Sequence, residues 1–349
     1  MKTPPISVVV PVFNVEEYLP ECLESLAGQT FREIEIICVD DGSSDASGQI
    51  CDAYAARDSR FRVLHQANSG PSASRNRGMD LARGEYLIFV DSDDWVEPEM
   101  CEKAYAQIRR TGADMVQFFF DEFGAQQGMP RKFRTLPLKR CETNFEKIRC
   151  VNAAMCVVWA RIYRLAFLRE KNVRFLEEII FEDTYFSMKA ALLADSIEIL
   201  PEILVHYRVG SGYSSSLDPK YYPKRIDYFR CLMVTISDLA QVGISRELRL
   251  YLQNMKCNAM QAVYLNYCPP EEKAALREEI LASLTPEDWQ NLWHPNRYFR
   301  PRTCEFFFRL NRRPVMALLV RVLGTIPRRA DRIWCGIQLF FRPDSEYYF

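Results

Sequence analysis

Ile6-Ser7-Val8-Val9-Val10-Pro11-Val12 is a nearly unbroken run of apolar, mostly β-branched residues, the pattern of a strand buried on both faces of a parallel sheet. Phe13-Asn14 follows, and then residues 16–27, where Leu19, Cys22, Leu23 and Leu26 form one apolar helical stripe. The alternation repeats. A strand over 34–39 closes in Asp40-Asp41-Gly42-Ser43 and leads to a helix over 45–56. A short strand at 62–64, a helix over 72–82 and a strand over 86–90 come next, the last closed by Asp91-Ser92-Asp93-Asp94. A helix over 98–111 and a strand over 114–120 extend the series. Repeated strand–helix units predict an α/β fold with a mainly parallel sheet flanked by helices. Residues 121–145 read as a polar loop or hairpin, and α/β character returns over 148–208. After Tyr213-Ser214-Ser215-Ser216 the periodicity is helical over 222–242, 247–267 and 271–284. The expected division is an α/β domain of residues 1–216 and a mostly helical C-terminal region of 217–349.

Composition narrows the class. The chain has 349 residues, 48% hydrophobic and 26% charged, which is globular and excludes a disordered or collagenous polymer. No apolar run approaches the ~18–20 residues of a bilayer-spanning helix. The N-terminus lacks the form of a signal peptide, because Glu16-Glu17 stands where a small-residue cleavage site belongs. Twelve cysteines without a CxxC pair read as reduced thiols of a cytoplasmic protein rather than a disulfide framework or zinc site. The net charge of −1 hides an asymmetry, since residues 290–343 hold eleven Arg against only Glu305 and Asp331.

Ligands of an open parallel sheet bind beyond the carboxyl ends of its strands. Here those ends carry five carboxylates: Asp40, Asp41, Asp91, Asp93 and Asp94. A single Asp at a strand end usually forms a turn or caps a helix, which does not account for the whole set. Asp91 and Asp93, two apart, face the same way if the backbone there is extended. Paired hard oxygens without His or Cys suit Mn²⁺ or Mg²⁺ bound partly through a ligand's phosphates. No Walker loop or GxGxxG follows the first strand, which removes the main support for an NTPase or a dinucleotide oxidoreductase. A metal on a diphosphate is what an activated-sugar donor needs as its leaving group gains charge.

Ser7 to Asn14, Gln29-Thr30-Phe31, Val39 to Ser43, Asn68-Ser69-Gly70 with Ser74-Arg75-Asn76, Gly84-Glu85-Tyr86 and Phe89 to Asp94 resemble, in order and spacing, the signatures of family 2 glycosyltransferases. These are inverting enzymes of the GT-A fold that use nucleotide-diphospho-sugars. The matching signatures span residues 6–98, with looser similarity to about residue 215. The resemblance implies a UDP-sugar donor, with Pro11, Phe13 and Asn14 at the nucleobase slot and Phe13 in place of the family's usual Tyr. It gives Asp41 the uracil N–H, and Asp40 and Gly70 the nucleoside pocket. Asp91, Ser92 and Asp93 form the DxD element, with Asp93 on the metal and Asp91 on the ribose or the metal's water. Arg75 would face the diphosphate. Glu182-Asp183 resembles the element whose Asp is the general base, with Glu182 shaping the site. Trp159 would stack on the acceptor sugar if exposed, and His206 lies where some relatives have a residue near the metal or diphosphate.

The tail alternates apolar blocks with Arg309, Arg312, Arg313, Arg321, Arg328, Arg329, Arg332 and Arg342. Basic amphipathic segments lie in membrane interfaces, so residues 290–343 are read as a surface for anionic lipid, with packing on the body as the rival. No nucleic-acid motif is present. The expectation is a cytoplasmic, metal-dependent transferase, peripheral at the inner membrane face, acting on a saccharide or lipid-linked glycan. The alternatives are a sugar-phosphate nucleotidyltransferase and a non-catalytic sugar-nucleotide-binding membrane partner.

Overall fold

The computed structural model describes residues 3–123, 140–153, 156–177, 182–209, 245–268 and 270–293, together with 234, 235, 238, 306, 307 and 310. The chain divides into two compact units, residues 1–221 with 230–245, and residues 222–229 with 246–349. The first unit is built on β1 (Ile6–Val12), β2 (Ile34–Asp40), β3 (Phe61–His65), β4 (Tyr86–Phe89), β5 (Trp95–Val96), β6 (Met115–Phe123), β7 (Arg140–Cys141), β8 (Arg161–Arg164) and β9 (Ile197–Arg208). They form one sheet in the order β3-β2-β1-β4-β8-β6-β9-β5, with β7 beside β9.

β1 pairs in parallel with β2 and with β4, and β2 with β3. The chain order therefore reverses between β2 and β4 across β1, the kind of switch point where a crevice opens. β8 runs antiparallel to both β4 and β6, so β6 and its parallel partner β9 point the same way as β1. Asp40, Asp91, Phe123 and Arg208 consequently lie toward one edge. The sheet is mostly parallel, as expected, but β8 makes it mixed.

Helices α1 (Leu19–Ala27), α2 (Ser47–Arg57), α3 (Gly70–Leu81), α4 (Met100–Thr111), α5 (Asn144–Ala153), α6 (Leu165–Glu170) and α7 (Glu182–Leu193) complete this unit. α1 buries the predicted stripe, Leu19, Cys22, Leu23 and Leu26. α3 lies tight on the sheet because of Gly78: a Cβ there would meet Val9 Cγ1 at 2.3 Å. The predicted loop of 121–145 is partly regular, since β6 runs on to Phe123 and β7 and α5 begin before residue 146.

The second unit contains α8 (Arg246–Ala262), a π-helical turn Val263–Tyr267, α9 (Lys273–Ser283) and α10 (Pro286–Trp293). Thr285 and Asp288 form a capping box at α10, each side chain accepting the other's backbone N–H, at 3.2 and 2.8 Å. Buried Lys256 donates to Asp288 Oδ2 at 2.7 Å and to the Ser283 carbonyl at 2.8 Å. Beyond α10 the tail is described only at Phe306, Phe307 and Leu310. Phe307 and Leu310 are buried, and Arg277 Nε donates to the Leu310 carbonyl. The rest of the proposed lipid surface lies outside the described residues, as does the expected boundary at residue 216. Among the described residues no helix is long and apolar enough to cross a membrane, and every cysteine is a free thiol.

Candidate active site

The end of β1 is shaped by Asn14, which takes a left-handed backbone (φ 47°). Its Oδ1 accepts the Ser44 N–H at 2.7 Å and its own N–H donates to Ser43 Oγ at 3.0 Å, so the ends of β1 and β2 are stitched together. Phe13, between Pro11 and this stitch, keeps 44% of its surface exposed. An apolar ring left open beside a strand end is a platform for a flat ligand.

The two carboxylates closing β2 are buried and do different work. Asp41 accepts the backbone N–H of Ser69 at 2.9 Å and of Gly70 at 2.7 Å, and the Gln66 amide at 2.8 Å. It therefore fixes the start of α3, where Gly70 has φ +87°. Asp40 accepts the Ser43 N–H at 3.1 Å and pairs with His65 Nδ1 at 2.7 Å. His65 Nε2 meets Asp52 at 3.1 Å, and the bonds to Asp40 and Asp52 raise the imidazole pKa. Both carboxylates are thus already engaged in tying the end of β2 to β3 and to the start of α3.

Beyond β4 the expectation of an extended backbone is not met. Asp94 N–H donates to the Asp91 carbonyl at 3.1 Å, so Asp91, Ser92, Asp93 and Asp94 form a tight turn, with Asp91, Ser92 and Asp93 partly exposed and Asp94 buried. Burial, and then the charges of Asp93 and Asp91, push the Asp94 carboxyl well above its ordinary range, and its Oδ2 has no hydrogen-bond partner. Negative charge is crowded here, as it is where a divalent cation binds. The donor set is carboxylate oxygen only, which suits Mn²⁺ or Mg²⁺. The described residues form no cluster of three metal-binding side chains, so a cation here needs ligand phosphates and water to complete its shell.

Arg75 joins this turn to the second half of the fold. Its buried guanidinium donates to Asp91 Oδ1 at 2.8 Å and to Glu182 Oε1 at 2.6 Å, with Asp183 Oδ1 at 3.4 Å. Burial disfavours its charge, but Asp91, Asp183 and Glu182 outweigh that and hold it protonated. Its place is at the junction of the Asp91–Asp94 turn and the first turn of α7. Asp183 keeps a quarter of its side-chain surface exposed while its Oδ1 is enclosed. Burial pushes its carboxyl up to about 8, Arg75 opposing and Glu182 and Asp91 adding to the rise.

Two expected site residues stand elsewhere. Trp159 is buried, stacked on Tyr207 at 5.4 Å and edge-on to Phe120 at 4.6 Å, so it is core and not an acceptor platform. His206 has both ring nitrogens occupied, Nδ1 by Asp121 at 2.7 Å and Nε2 by Glu97 at 2.9 Å, and it stacks on Trp95. Neither nitrogen is open to a metal. Arg208, which sequence reading passes over, donates from Nε to the Asp93 carbonyl at 3.0 Å and from its backbone to Asp94 Oδ1 at 2.8 Å. Its guanidinium lies between the Trp95 and Tyr18 rings, 4.7 and 4.6 Å from their centroids. No local motif signals a contact across 115 residues of chain.

Residues 7–175 match glycosyl transferase family 2. The putative glycosyltransferase EpsH of Bacillus subtilis is 36% identical over 234 residues, 64% of this chain and 65% of that protein. Glycosyltransferase GlyA of Streptococcus pneumoniae is 30% identical over 299 residues, 81% of this chain and 42% of that protein. The chain spans less than two thirds of the length of either relative. The crystal structure of S. aureus TarS 1–349 in complex with UDP-GlcNAc shares the fold, with a TM-score of 0.71 at 23% identity over 89% of this chain and 88% of that one. The sheet with its switch point is thus a GT-A fold, and residues 7–175 carry the sequence pattern of glycosyl transferase family 2.

Proposed function

We propose that the chain moves a sugar from a UDP-sugar to a hydroxyl of a saccharide acceptor, inverting the anomeric carbon with the aid of Mn²⁺ or Mg²⁺. The observation that carries this is the ionic cluster Asp91–Arg75–Glu182/Asp183. It couples a turn rich in carboxylates to a helix start bearing a raised carboxyl, on the sheet edge where the exposed Phe13 ring and Asp41 also stand. Phe13 and Pro11 take the nucleobase face, and the wall built by Asn14, Asp40, Asp41 and Gly70 takes the nucleoside. Asp91 and Asp93 would hold the cation, which supplies neutralising charge for the departing diphosphate. His206 is left out of that set. Asp183 takes the proton of the acceptor hydroxyl as it attacks, while Arg75 and Glu182 hold the carboxylate in place. A UDP donor is supported by the UDP-GlcNAc bound in TarS, and the acceptor class, a saccharide or lipid-linked glycan, by the family.

Calorimetry with UDP tests this reading. UDP binds tightly with Mn²⁺ and weakly with EDTA, and Asp93→Ala removes most of the difference while the protein stays folded. Equal affinity with Mn²⁺ and with EDTA overturns the metal role.

A further inference from the structure

Arg161 is fully buried at the start of β8, in the middle of the sheet. Its Nε donates to Gln117 Oε1 on β6 at 3.1 Å, and Nη1 donates to Ser187 Oγ on α7 at 2.9 Å and to the Val157 carbonyl. Nη2 reaches the Val151 carbonyl on α5 at 3.5 Å. All these acceptors are neutral, and among the described residues no carboxylate lies within ion-pair distance. A buried cation without a paired anion is strongly disfavoured unless something else stabilises its charge.

Three observations show where that charge acts. Ser187 and Asp183 are four apart on α7, so they share a helix face. Ser187 Oγ donates in turn to the Cys156 carbonyl, and Cys156 takes a left-handed backbone (φ 56°), which a non-glycine residue holds only when its surroundings impose it. Of the charges bearing on Asp183, Arg75 on α3 and Arg161 on β8 oppose its protonation, while Glu182 and Asp91 favour it.

We propose that Arg161 is a positioning residue for Asp183: through Ser187 it ties the first turns of α7 to the 156–158 segment, one helical turn from the carboxylate. Anchoring α7 to the sheet through Arg161 and Ser187 sets the base's position while its carboxylate keeps a quarter of its surface exposed. The inference rests on Asp183 as the general base, and Asp183→Asn is measured alongside.

The test is turnover, read as UDP release from UDP-GlcNAc, UDP-glucose or UDP-galactose, together with UDP affinity in Mn²⁺ and the melting temperature. Arg161→Gln lowers kcat by roughly 10²-fold, the cost of a ~1 Å misplacement of a reacting group, with donor KM and UDP affinity unchanged. Arg161→Lys, which keeps the charge, recovers a substantial part of that loss. If Arg161→Gln does not fold, Ser187→Ala decides instead, since it removes only the hydroxyl link and lowers kcat with KM unchanged. A folded Arg161→Gln with wild-type kcat, parallel losses in kcat and UDP affinity, or, in the fallback, a Ser187→Ala with wild-type kcat overturns the proposal. If Asp183→Asn itself turns over normally, it is the base assignment that falls.

Discussion

Asp183 combines an enclosed oxygen with a carboxyl raised to about 8, first by burial and then by Glu182 and Asp91 against Arg75. With Asp183 as the proposed general base, which must be ionised to act, turnover should rise with pH through about 8. Stability moves the other way. The folded state keeps this proton far above the ~3.9 of an unfolded Asp, so it binds more protons than the unfolded chain over that window. The stabilisation is complete below the unfolded value and is lost as pH rises through about 8. Melting curves from pH 5 to 9 should show wild type losing stability relative to Asp183→Asn, which cannot titrate there. Parallel curves would contradict the raised carboxyl. The roles expected of Trp159 and His206 failed at this scale for a shared reason. Residue type gives a side chain's chemistry but not whether its aromatic face is covered by Tyr207 and Phe120, or its nitrogens by Asp121 and Glu97.

Strands β1, β2 and β4 were legible because each is a short apolar run buried on both faces and ended by polar residues. β8 was not. In Arg161-Ile162-Tyr163-Arg164 two charges flank two bulky residues, and the burial of Arg161 depends on acceptors from β6, α5 and α7 that lie well away from it in sequence. The strand-end carboxylates were visible as a set, but the bridge of Arg75 to Glu182 spans 107 residues and exists only once α3 and α7 meet. The close seat of α3 is testable at Gly78. Gly78→Ala pushes a methyl into Val9, and over-packing of this kind costs ~1–3 kcal/mol, or roughly 2–4 °C in Tm per kcal/mol for a unit of this size. An unchanged Tm would show that α3 does not press on β1 as described.

Across the whole molecule, residues 290–343 carry the strongest charge imbalance, and Phe307 and Leu310, where described, are buried. Polybasic segments gain ~1 kcal/mol per Arg near an anionic surface, screened over a Debye length of about 8–10 Å. If the remaining Arg residues reach lipid, the full chain floats with anionic vesicles at low salt and is released at high salt. Absence of flotation at low salt would leave the tail as packing for the second unit. UDP at about 100 times its Kd should add ~2.7 kcal/mol to the stability of the unit that binds it. The central proposal is that this chain transfers sugar with Asp183 as its base. The most direct measurement is UDP release from a UDP-sugar by wild type and Asp183→Asn under one set of conditions. The account predicts a loss of ~10²–10⁴-fold in turnover with UDP affinity retained, the range for a missing general base. Near-wild-type turnover in Asp183→Asn would contradict it.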